Sequence, residues 1–138
     1  MSDTATVTAT IVALTDDLMV GTRIDGTLAA AGYAVQIVGD SDALLAAARA
    51  GVSAVVVSFG GRTGDGVAAI RALRANAATA TLPILAFGPH VDMAARTAAR
   101  DAGATRVTTN GTFFTRMPAI VAALLAGESS PAPDDEEA

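Results

Sequence analysis

The stretch Ser53-Ala54-Val55-Val56-Val57-Ser58-Phe59-Gly60 decides the fold. Its centre is a continuous apolar and β-branched run with no polar alternation, the mark of a strand covered on both faces. Such strands belong to parallel sheets whose connections are helices. Working outward, runs of these two kinds alternate. Upstream lie an apolar strand over 7–14, helical spacing over 18–31 (Leu18, Ile24, Leu28, Ala31) stopped at Gly32, and a strand over 34–38. A helix over 41–50 follows, capped by Ser41 or Asp40 and closed by Gly51. Downstream lie a helix over 67–77, a strand over 82–87, a helix over 92–102 stopped by Gly103, and a short strand over 105–108. The last helix starts at Phe114 or Pro118 and runs to Leu125, because proline is tolerated only near a first turn. Five strand–helix pairs joined by right-handed crossovers predict a three-layer, doubly wound (βα)5 domain of class α/β, with a five-stranded parallel sheet.

In such a sheet, ligands bind beyond the carboxyl ends of the strands, where strand order reverses. The groups after strands one, three, four and five are Thr15-Asp16-Asp17, Ser58-Phe59-Gly60, Gly88-Pro89-His90 and Thr109-Asn110-Gly111.

Composition removes many chemistries from that edge. The chain has 138 residues, enough for one domain, assigned to 1–127, followed by a Ser/Pro/acidic tail over 128–138 that is expected to be disordered. Alanine occurs 33 times; cysteine, tryptophan and lysine are absent, and all nine basic residues are arginine. This excludes disulfides, thiolate nucleophiles, cysteine zinc sites, Schiff-base lysines and the P-loop lysine. His90 is the one histidine, too few for a structural zinc site. The net charge of -5 resides wholly in Glu128, Asp134, Asp135, Glu136 and Glu137, leaving 1–127 formally neutral with scattered arginines. That composition argues against a nucleic-acid partner and permits self-association. No basic leader precedes an apolar core, and no apolar run reaches the ~20 residues that cross a bilayer. The expectation is a cytoplasmic protein with no membrane partner. The glycine-rich segment 60–66 lacks the Lys-Ser/Thr of a P-loop. Arg62 with its backbone amides could hold an anion there; a mobile or partner-binding loop is the simpler reading.

The layout resembles the receiver domain of bacterial response regulators, CheY-like in order and length. Thr15-Asp16 stands at that family's acidic pair, counted back from Gly32-Tyr33. Ser58 stands where the phosphorylated aspartate ends the third strand, Asp65-Gly66 matches the Asp-Gly opening the third helix, and Leu82 to Phe87 looks like the fourth strand. The resemblance implies a flavodoxin/CheY-like fold and a role in two-component signalling. It also implies a phosphoacceptor pocket at Asp16, Ser58, Gly88 and Asn110 that has lost its chemistry. Phosphoryl transfer there needs a carboxylate nucleophile, a carboxylate-held divalent cation and a lysine. Ser58 replaces the nucleophile, Asn110-Gly111 replaces lysine-proline, and Gly88 replaces the switch hydroxyl. Asp16 and Asp17 are the remaining candidates for a metal, and either could instead cap the first helix.

The expected molecule is therefore a stand-alone, non-enzymatic pseudo-receiver without a cofactor, its Mg2+ site lost, acting through a protein partner or a homodimer. By resemblance the contact surface is the fourth helix, fifth strand and fifth helix, with Arg96, Arg100, Arg106 and Arg116 as exposed candidates. Two alternatives stay open: phosphorylation at a residue other than aspartate, and ligand binding or hydrolysis at an Asp16/Ser58/His90 edge. Val56-Val57-Ser58-Phe59-Gly60 lacks the first glycine of a nucleophile elbow, which counts against the hydrolase.

Overall fold

The computed structural model describes residues 8–60 and 65–127; Arg62 and the acidic tail lie outside the described residues. Ten elements alternate strictly: β1 (Thr10–Leu14), α1 (Leu18–Ala30), β2 (Ala34–Val38), α2 (Ser41–Arg49), β3 (Ala54–Ser58), α3 (Asp65–Ala75), β4 (Ile84–Gly88), α4 (Met93–Ala102), β5 (Arg106–Thr109) and α5 (Asn110–Leu125). The strands form one parallel sheet in the order β2-β1-β3-β4-β5, the doubly wound arrangement of the flavodoxin/CheY kind.

The period of two along each strand sorts side chains into two cores. Ile11, Ala13, Ala54, Val56, Leu85 and Phe87 face α1 and α5. Val12, Leu14, Val55, Val57, Ile84 and Ala86 face α2, α3 and α4. Val55, Val56 and Val57 are each fully buried, so the run that reads as a doubly covered strand is one. Each such side chain contributes about 1.5–3 kcal/mol through burial.

The caps follow from short polar side chains at the helix starts. Asp17 accepts the amides of Met19 (2.9 Å) and Val20 (3.0 Å), Asp40 accepts that of Ala43 (2.8 Å), and Asp92 that of Ala95 (3.0 Å). Gly103 closes α4 at φ +118°, in the left-handed region where a side chain is strained.

Two expectations need correction. First, α5 starts at Asn110, ahead of Phe114, because the Thr109 hydroxyl accepts the Thr112 amide (3.2 Å) and caps it there. Two helical segments meet at Arg116, so Pro118 does stand in a first turn, that of the second segment. Arg116 leaves helical geometry (φ -124°, ψ 24°), a kink placed where the proline lacks an N–H and its ring crowds the preceding turn. Second, Arg96 and Arg106 are not exposed: they are 5% and 6% accessible, whereas Arg100 and Arg116 lie at the surface. Arg96 shares the inward stripe of α4 with the fully buried Ala99. The small alanines beside it leave room for its stem, and its Nη1 reaches Met93 Sδ at 3.5 Å.

Candidate functional site

The carboxyl ends of β1, β3, β4 and β5 converge on a cleft of about 540 Å³. Thr15 is buried at its floor and its hydroxyl accepts the Asp17 amide (3.1 Å), which shapes the turn into α1. Asp16 and Ser58 are half-buried, and Asn110 is exposed at the start of α5; all four of these residues line the cleft with Asp17. The expected edge residues Asp16, Asp17, Ser58 and Asn110 are thus brought together. His90 does not line this cleft; it is exposed on the turn between β4 and α4. An Asp16/Ser58/His90 constellation therefore has two members in the cleft and one outside it.

The donor set is a poor match for a divalent cation. Magnesium is held by hard oxygen ligands, carboxylates foremost. Asp17 Oδ1 already accepts two helix amides, and β3, β4 and α5 contribute the Ser58 hydroxyl, the Phe87 ring, the Asn110 amide and the Phe114 ring. Among the described residues no group of three or more His, Asp or Glu side chains is placed to hold a metal. No basic residue is among the described residues lining the cleft.

Aromatic carbon occupies this end of the sheet. The chain has four phenylalanines, and all four gather here: Phe59 follows β3, Phe87 is in β4, and Phe113 and Phe114 are in the first turns of α5. Phe87 stacks on Phe113 with centroids 4.1 Å apart and 16° between planes, and meets Phe114 edge-on at 5.7 Å. Arg23 of α1 lies over the Phe114 ring, 4.5 Å from its centroid. Phe87 and Phe114 also line the cleft, together with Leu18 and Met19, which are 84% and 80% accessible on its rim.

The fourth ring, Phe59, belongs to the core on the other face of the sheet and packs against Gly88. The Phe59 amide donates to the Phe87 carbonyl (2.9 Å), joining the ends of β3 and β4. A Cβ at Gly88 would overlap the Phe59 ring, with Cδ1 2.5 Å and Cζ 2.8 Å away. Gly88 thus ends β4 beneath a buried ring. Sequence reasoning missed these contacts. Their signal was available in part, since Phe59 and Phe87 each sit at the end of a buried strand and Phe113-Phe114 follows the last one.

No family model matches the chain, and no curated protein does. Solved structures match it along nearly its whole folded length. A two-component response regulator of the LuxR family from Aurantimonas sp. SI85-9A1 is 25% identical, with a TM-score of 0.81 over 95% of this chain and 94% of that one. The receiver domain of the sensor histidine kinase PA1611 from Pseudomonas aeruginosa PAO1, solved with magnesium in its active-site cleft, is 21% identical, with a TM-score of 0.77 over 87% and 99%. The chemotaxis response regulator CheY4 of Vibrio cholerae is 19% identical, with a TM-score of 0.75 over 86% and 99%. The chain thus shares the fold of response-regulator receiver domains. Among the described residues no helix is long and apolar enough to cross a membrane.

Proposed function

We propose that this chain is a pseudo-receiver: a cytoplasmic signalling module that acts by binding protein and takes no phosphoryl group on aspartate. The observation carrying this reading is a cleft whose described lining holds the carboxylates of Asp16 and Asp17 but no side-chain cation. Ser58 ends β3 without a carboxylate, Asn110 offers no positive charge, and Phe59 occupies the space over Gly88. Phosphoryl transfer relies on placed positive charge to stabilise its transition state, and the cleft supplies none from its described lining.

Output then depends on association. The exposed Arg100 on α4 and Arg116 on α5 remain the charged candidates of the α4–β5–α5 face, toward a protein partner or a second copy. Arg96 and Arg106 serve the interior of that face and do not present it.

The test is incubation of the full chain with acetyl phosphate and Mg2+, read by intact mass. The expected spectrum is unchanged. An acid-labile phosphoryl adduct of about 80 Da overturns the proposal, and an acid-stable one on Ser58 points to serine phosphorylation instead.

A further inference from the structure

The open edge of the sheet at β2 is a second, unrelated surface. In the ladder with β1, the Ala34 amide donates to the Ala9 carbonyl (3.0 Å) and the Val38 carbonyl accepts the Thr15 amide (3.1 Å). With Thr10, Val12 and Leu14 opposite Ala34, Gln36 and Val38, residues 34, 36 and 38 turn their main-chain groups toward β1. The alternate residues, Val35 and Ile37, therefore direct N–H and C=O outward. β2 ends the sheet, and among the described residues no strand pairs with its outer side.

Protein edges are ordinarily blunted by charge, proline or a bulge. The run Gly32-Tyr33-Ala34-Val35-Gln36-Ile37-Val38-Gly39 has no charge and no proline, and pairs with β1 in unbroken register. Its flanks are acidic. Asp25 of α1 lines a groove of about 490 Å³ with Ile37 and Gly39, and the exposed Asp40 and Asp42 follow the strand. The arginines of the adjoining helices lie elsewhere: Arg23 is turned to Phe114, and Arg49 is in the last turn of α2, at the opposite end of the sheet.

We propose that β2 receives an extended segment of a partner protein, an uncharged β-branched run with a basic residue beside it, as a sixth strand. Main-chain bonds to Val35 and Ile37 supply the affinity, and Asp25 and Asp40 select the basic flank. A second copy is the poorer occupant, because it would bring the same carboxylates to the edge and no cation. The inference does not depend on whether Ser58 accepts phosphate.

The probe is a fluorescein-labelled seven-residue peptide of alternating valine and threonine with lysine at each end, titrated into the full chain by anisotropy. We expect saturable binding that weakens with salt. Val35→Pro removes one outward donor and leaves the β1 ladder intact, since proline is tolerated on an edge. It should weaken binding about tenfold, the loss of one or two main-chain bonds. Asp25→Asn with Asp40→Asn should weaken it about threefold, while asparagine preserves the α2 cap. In hydrogen exchange, the Val35 and Ile37 amides should gain protection on binding. Absence of saturable binding, or parental affinity in both variants, overturns the proposal. So does a dimer of the free chain that Val35→Pro dissociates, which would make a second copy the occupant.

Discussion

Arg74→Met lowers the free energy of unfolding by about 3 kcal/mol, and Arg74→Lys recovers less than half of that loss. Arg74 stands in the last turn of α3 and is half-buried. Its Nε donates to the Gly103 carbonyl (2.9 Å), its Nη1 to the carbonyls of Ala80 (2.8 Å) and Leu82 (2.7 Å), and its Nη2 to Thr105 Oγ1 (3.2 Å). One guanidinium thus ties the end of α3, the turn into β4 and the turn between α4 and β5. Burial holds its pKa below the ordinary arginine value, and the four acceptors in this set are neutral.

Methionine fills much of the same volume but leaves three carbonyls short of a donor. A buried orphan costs about 1–3 kcal/mol, and partial access to water keeps the total below the sum of three. Lysine fails for geometric reasons, because a single ammonium cannot reach acceptors on both sides of a planar fork. The surroundings are built to the arginine: a Cβ at Gly103 would lie 2.7 Å from Arg74 Cγ. Equilibrium urea unfolding followed by circular dichroism measures the difference. A variant within 1 kcal/mol of the parent would falsify the clamp, showing that water satisfies those carbonyls.

Arg74 also marks where the sequence stopped being legible. A helix arginine reads as a solvent-facing charge, and its acceptors lie in two turns, one of them about thirty residues onward. What could be read were features set by local chemistry. The β3 run announced its double burial, Asp17 and Asp40 their candidacy as caps, and Gly103 its helix stop. The start of α5 was misplaced because Asn110 and Gly111 are weak helix formers, while the Thr109 cap and the packing of Phe113 outweigh propensity. The resemblance puts Arg96 on an exposed contact surface, although it lies three residues from buried Ala99 on one helical face. At the site, single residues could be placed at the sheet edge. The packing of Phe87, Phe113 and Phe114 on one face of the sheet and of Phe59 on the other required the strand order.

Those rings lead to the second large effect. Gly88→Thr destabilises the chain by about 3 kcal/mol, and by less than half as much when Phe59 is alanine. Gly88 is buried at the end of β4, and Phe59 is only 5% accessible. A side chain at 88 must displace the ring that already fills its place, and close-packed interiors answer an extra group with rotamer strain or backbone shift. Phe59→Ala alone removes a buried ring and costs about 3–4 kcal/mol. In the double variant, the threonine methyl and hydroxyl occupy part of the vacated space. The two changes then offset one another by more than about 1.5 kcal/mol in a double-mutant cycle. The same coupling governs any attempt to restore phosphoacceptor chemistry. Ser58→Asp, Gly88→Thr and Asn110→Lys together place the missing groups at the cleft, yet with Phe59 retained the chain should stay unlabelled by acetyl phosphate and Mg2+. Labelling should require Phe59 to be reduced as well. If the cycle is additive within about 0.5 kcal/mol, the ring and the new side chain do not compete. The space beside Gly88 would then be free, where the geometry has it filled by the Phe59 ring.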